Sequence, residues 1–105
     1  MFFRKKKKTT TKTSVKTVDS LILRQLETDE DELITDLASN LLKGSPLILN
    51  FDLLNVDASN KVIAFFSGVV YAINGQIETI NEKTFLFADK DAFLDGSLRG
   101  FVDQL

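Results

Sequence analysis

Four carboxylates stand side by side in Asp29, Glu30, Asp31 and Glu32. Clustered carboxylates are the residue type that holds hard cations. These are consecutive, however, and lack the alternating spacing of a calcium-binding loop. They open a segment of helical periodicity, where acids offset the positive end of the helix dipole, and that role accounts for them. Asp89, Asp91 and Asp95 are spread along the last segment and call for no chemistry. Gly44, Gly68, Gly75, Gly96 and Gly100 form neither GxGxxG nor GxxxxGKS/T, so no phosphate-cradling loop is written here. Histidine and cysteine are absent from the chain. That removes the commonest general base, the commonest metal ligand, thiolate sites and disulfides. An enzyme would have to work with carboxylates, lysine, serine or tyrosine alone. The expectation is a non-enzymatic protein with no cofactor and no metal.

The basic residues tell more. Residues 1–18 carry Arg4, Lys5, Lys6, Lys7, Lys8, Lys12 and Lys16 and no acid. The rest of the chain sets six basic residues against fifteen acids, a net charge of −9. A basic arm thus precedes an acidic domain, which points to an anionic partner for the arm, either membrane or nucleic acid. The TTTKTS run and the scarcity of core-forming residues make residues 4–16 read as a disordered, charge-extended linker. Met1, Phe2 and Phe3 form a small apolar tip. No apolar run reaches the ~18 residues of a membrane span, and the basic start is not followed by the apolar stretch of a signal peptide. Two regions result: an arm over residues 1–18, and a domain over residues 19–105 with a tail from about residue 89.

The elements follow from periodicity. Residues 20–26 alternate as a strand. Residues 28–44 read as a helix, with Thr28 as its cap and Leu33, Ile34, Leu37, Ala38, Leu41 and Leu42 as its apolar face, closed by Gly44. The apolar run 45–51 behind Pro46 reads as a buried central strand. Asp57 is a plausible N-cap for a second helix over Ala58 to Asn74. GQIETI and TFLFA read as strands joined by the turn Asn81-Glu82-Lys83. Residues 89–105 fit either a short helix or an extra edge segment. The order βαβαββ predicts a small two-layer α/β sandwich with its helices on one face of the sheet.

The second helix poses a question. Glycine inside a helix costs about 1 kcal/mol relative to alanine, yet Gly68 stands in its middle. At about 100° per residue, Val62, Phe66, Val69 and Ile73 share the core stripe, flanked by Phe65 and Val70. Ala64, Gly68 and Ala72 form a separate ridge at i, i+4 and i+8. Small residues in such a row let another backbone approach closely. Either the ridge packs on the protein's own sheet, or a second copy covers it in a symmetric dimer.

The run PLILNFDLLNVDASNKVIAFFSGVVYAINGQIETINEKTFLFA resembles the core of the SepF family of bacterial cell-division proteins. The resemblance rests on Asn50-Phe51, then Phe65, Phe66, Gly68, Tyr71, Ala72 and Ile73, then Gly75 and Ile77, then Phe85, Leu86 and Phe87. It covers roughly residues 20–88. It implies an α/β core that dimerises and can assemble into curved polymers, with Gly68 on the self-association helix. It also implies binding to the C-terminal tail of FtsZ, the tubulin-like division protein, and an N-terminal amphipathic helix on the membrane, so that the protein works in the cytoplasm at the division site. Here the chain departs from the family, since MFF followed by RKKKK is too short for such a helix. The parts still suit weak contact with an anionic membrane. Each basic residue near such a leaflet contributes about 1 kcal/mol, so the five from Arg4 to Lys8 give roughly 5 kcal/mol before losses. Phe2 and Phe3 add an apolar signal, and a dimer doubles the anchor. The other reading of the run is a solvated stretch that keeps the protein soluble.

For the FtsZ tail, the resemblance directs attention to the hairpin. Phe85 and Phe87 share one strand face, and one of them is expected to fill the core. Phe85, Lys83 and Tyr71 are the candidates, Tyr71 because it falls opposite the core stripe. The competing reading is a small dimeric nucleic-acid- or lipid-binding module acting through the arm. An acidic domain repels phosphates, so no nucleic acid is expected as a partner.

Overall fold

The structure, a computed structural model, describes residues 16–105. Seven regular elements are named here: β1 (Ile22–Gln25), α1 (Asp31–Leu42), β2 (Leu47–Asn50), α2 (Val56–Ala72), β3 (Gln76–Asn81), β4 (Thr84–Ala88) and α3 (Ser97–Val102), with a 3-10 turn at Thr17–Ser20 ahead of them. The sheet order is β1-β2-β4-β3. β1 and β2 are parallel, joined across α1, and β4 runs antiparallel to both β2 and β3.

Both long helices form where the periodicity places them, and their ends obey local chemistry. α1 buries Ile34, Leu37, Ala38 and Leu41, the i, i+3, i+4, i+7 stripe of an amphipathic helix. It starts at Asp31, not directly after Thr28. The Thr28 hydroxyl accepts from the Glu30 amide at 3.2 Å in the turn ahead of the helix, so it does not serve as the cap. The other end is a Schellman closure: Gly44 stands at φ 104°, its amide donates to Leu41, and the Ser45 amide donates to Asn40.

α2 begins two residues earlier than the sequence pattern suggests. Asn55, rather than Asp57, is its cap, accepting from the Ala58 amide at 2.8 Å. Asp57 sits in the first turn, where its charge still offsets the dipole. Val62, Phe66 and Val70 are the buried positions, with Val69 and Ile73 packed beside them, so the core stripe is rotated slightly toward Val70. The helix closes through Asn74 at φ 56°, with the Gly75 amide donating to Val70 at 2.8 Å. Gly75 is needed for a different reason than a left-handed turn. A Cβ there would collide with the Ala88 carbonyl at the end of β4.

β2 is buried on both faces. Leu47 and Leu49 join the cluster formed with α1 and α2, including Phe51, Phe66 and Phe87. Ile48 joins a second cluster on the other side, with Leu86, Ala88, Ala92 and Leu98. Each fully buried aliphatic or aromatic side chain of this kind contributes about 1.5–3 kcal/mol. The two long helices share one face of the sheet, as the two-layer reading expects. Residues 97–102 resolve the open choice for the tail: they form α3, which covers part of the opposite face through Leu98.

Candidate functional site

The outward face of α2 is built from small residues. Ala64, Gly68 and Ala72 are all exposed, opposite the buried row Val62-Phe66-Val70. Among the described residues, no atom beyond the local helix lies within 4 Å of a Cβ built at Gly68. Gly68 therefore makes no close approach to its own sheet. Tyr71, 86% exposed, stands beside this ridge. Phe65, 40% exposed, turns toward α1 and lines a groove of about 360 Å³ with Ile34, Thr35 and Val62.

A second groove, of about 190 Å³, runs between the first turns of α2 and the β3–β4 hairpin. Phe51, Leu54, Val56, Ile63 and Phe85 supply its apolar wall, and Lys83 stands on its rim. Phe85 meets Phe51 edge to face at 5.8 Å between ring centres. Phe87, two residues on, is fully buried against Phe66 at 5.2 Å. The two phenylalanines thus divide: Phe87 fills the core and Phe85 stays half-buried as groove wall. Lys83 and Phe85 come together here. Tyr71 does not join them within one chain, since twelve residues of helix, about 18 Å of axial rise, separate it from Ser59 in the groove.

The acid cluster has a partner that the sequence did not announce. Lys61 Nζ lies 3.4 Å from Asp29 and 3.3 Å from Asp31, tying the start of α1 to α2. The hydrogen bond to Asp31, with the charges of both acids, raises the Lys61 pKa above its ordinary value. Among the described residues, no group of three or more carboxylates is placed to hold a metal ion, and no helix is long and apolar enough to cross a membrane. Phe2, Phe3, Arg4, Lys5, Lys6, Lys7 and Lys8, the membrane-contact candidates, lie outside the described residues.

Sequence reasoning missed one corner altogether. Asp95 accepts from the Thr17 amide at 2.8 Å, the Thr17 hydroxyl at 3.2 Å, the Ser97 amide at 2.9 Å and the Ser97 hydroxyl at 2.8 Å. The backbone amide bonds from Thr17 and Ser97 lead in holding its carboxyl down at a pKa of about 2. Asp-Gly-Ser is a local turn signature that could have pointed to the Ser97 half. The Thr17 half joins residues 78 apart and leaves no local trace. Arg99 pairs with Glu78 of β3 and lies 4.7 Å over the Phe93 ring. The hydrogen bond from Arg99 lowers the Glu78 pKa.

This arrangement defines a small α/β module that carries an exposed small-residue ridge and two grooves. Comparison with known proteins gives the family. A family model described as Cell division protein SepF matches residues 26–91. The chain is 34% identical over 69 residues to the Cell division protein SepF of Lacticaseibacillus casei, covering 66% of this chain and 46% of that protein. It is 30% identical over 71 residues to that of Carboxydothermus hydrogenoformans, covering 68% and 52%. The fold also matches a SepF-like protein from Archaeoglobus fulgidus with a TM-score of 0.58 at 8% identity, over 66% of this chain and 83% of that one. The chain belongs to the SepF family of cell division proteins. Its matched region spans about half the length of these curated relatives.

Proposed function

We propose that this chain is a non-enzymatic division scaffold: a homodimeric adaptor that binds the FtsZ C-terminal tail, helps assemble the division septum and tethers it to the inner face of the membrane. The observation that carries the reading is Gly68, open on an outward ridge with Ala64 and Ala72. A helix tolerates such a glycine when close approach of a second helix offsets its cost. Two copies related by a two-fold axis cover each other's ridge and bring each Tyr71 to the edge of the interface. The hairpin groove, with the Phe85 wall and the Lys83 charge, is the surface offered to the tail, whose apolar anchors and flanking charges it suits. The basic arm, carried twice in a dimer, supplies membrane contact. The acidic domain disfavours nucleic acid as the partner.

The experiment is co-sedimentation with FtsZ filaments, comparing full-length FtsZ with FtsZ lacking its C-terminal tail. Pelleting that depends on the tail supports the adaptor role. Failure to pellet with either form overturns it and leaves the arm's lipid partner as the function to pursue.

A further inference from the structure

The 3-10 turn at Thr17–Ser20 and α3 lie on the same side of the sheet and hold each other there. Asp95 binds both, through the amides and hydroxyls of Thr17 and Ser97. A second tie runs the same way: the Val18 amide donates to the Ser97 hydroxyl at 3.0 Å. A third is apolar. Leu21, directly after the turn, packs in the same cluster as Leu98, Phe101 and Val102. α3 is only six residues long, too short to be stable by its own helical propensity. It depends on this docking. Beneath it lie Ile48, Leu86 and Ala88 of the sheet, each at most 5% exposed. Both halves of the contact fall outside residues 26–91, the stretch matched by the family model.

We propose that the Thr17–Leu21 segment and α3 are a single latch that opens and closes as one unit over the second face of the sheet. Because one unit has one opening equilibrium, whatever loosens one half lowers the protection of both. Drawing the Thr17–Leu21 segment away from the body therefore uncovers the apolar strip of β2 and β4, and release of α3 frees that segment in turn.

The test is amide hydrogen exchange on the full chain, with one variant on each half. Thr17→Pro removes both bonds from Thr17 to Asp95 without touching α3. The site accepts it, because Lys16 before it is extended at φ −77°, ψ 149°, the conformation favoured ahead of proline. Phe101→Ala weakens the apolar docking of α3 without touching the turn. The reporters are amides whose own partners are unaltered: Gly100 in α3, Asp103 at its C-cap, and Leu21 after the turn. Coupled opening predicts that Thr17→Pro lowers protection at Gly100 and Asp103 about tenfold or more, and that Phe101→Ala lowers it at Leu21 by a similar factor. The β2 amides serve as the control and stay protected. Loss confined to the mutated half in either variant overturns the latch.

Discussion

Replacing Gly68 with alanine separates the monomer's interest from the dimer's. Gly68 has no positive φ, and an added Cβ meets no atom beyond the local helix within 4 Å. Alanine there costs nothing in contacts and removes the glycine penalty, about 1 kcal/mol in a helix interior. With a urea slope of about 2 kcal/mol per molar, the midpoint rises by roughly 0.5 M. That gain belongs to the isolated chain, so it is measured at protein concentrations where sedimentation velocity finds monomer. In the proposed dimer the sign reverses, because the Cβ would hold apart two helices meeting along Ala64, Gly68 and Ala72. Gly68→Ala should weaken self-association, and Gly68→Leu should abolish it while the chain stays folded. Sedimentation equilibrium on the three proteins reads both effects. An unchanged association constant in Gly68→Leu refutes the ridge as the interface. A Gly68→Ala chain less stable as monomer refutes the premise that the site is open.

Three further outcomes are expected. Phe85→Ala and Lys83→Glu each weaken binding of an FtsZ-tail peptide by at least about tenfold in fluorescence anisotropy, a loss typical of an interface anchor; the apolar core keeps both variants folded, as circular dichroism should confirm. Gly75→Ala destabilises the protein by about 1–3 kcal/mol or more in urea, since its Cβ is aimed at the Ala88 carbonyl and the backbone has to move. Asp95 gives a pH signature: its folded pKa of about 2 lies below the ordinary carboxylate value, so its contribution is fully present above about pH 4 and is lost as pH falls toward 2. Asp95→Asn should flatten that part of the acid-unfolding profile, and a profile identical to the parent's would contradict the bonding at that corner.

The reading of the chain from its sequence succeeded where short-range physics governs. The i, i+3, i+4, i+7 row of α1 and the all-apolar β2 announced themselves, and α2 was legible as a helix with one small-residue ridge. Helix starts were less legible, because a residue of capping type need not stand at the position where the helix begins. Thr28 and Asp57 are good caps by type, yet Asn55 captures the Ala58 amide and α1 begins beyond Thr28's reach. The glycine after α2, Gly75, is the residue type expected at a helix stop, and the left-handed position is Asn74 instead. Which of two neighbours takes the strained conformation depends on how closely β4 passes, and no local pattern encodes that distance.

By itself, the sequence determined the order of the first six elements, the faces that must be buried, the charge divide between arm and domain, and the small-residue ridge through Gly68, all set by propensity and periodicity within a few residues; that the ridge faces outward was left to the structure. The tertiary structure alone decided that α3 lies across the sheet from α1 and α2, that Asp95 clasps Thr17, that Lys61 answers the acid cluster, and that Phe85 and Lys83 share a groove from which Tyr71 is distant. Each of these is a meeting of residues far apart in the chain. Such pairings follow from how the sheet is ordered and twisted, so they come into being only once the whole chain has closed around its two cores.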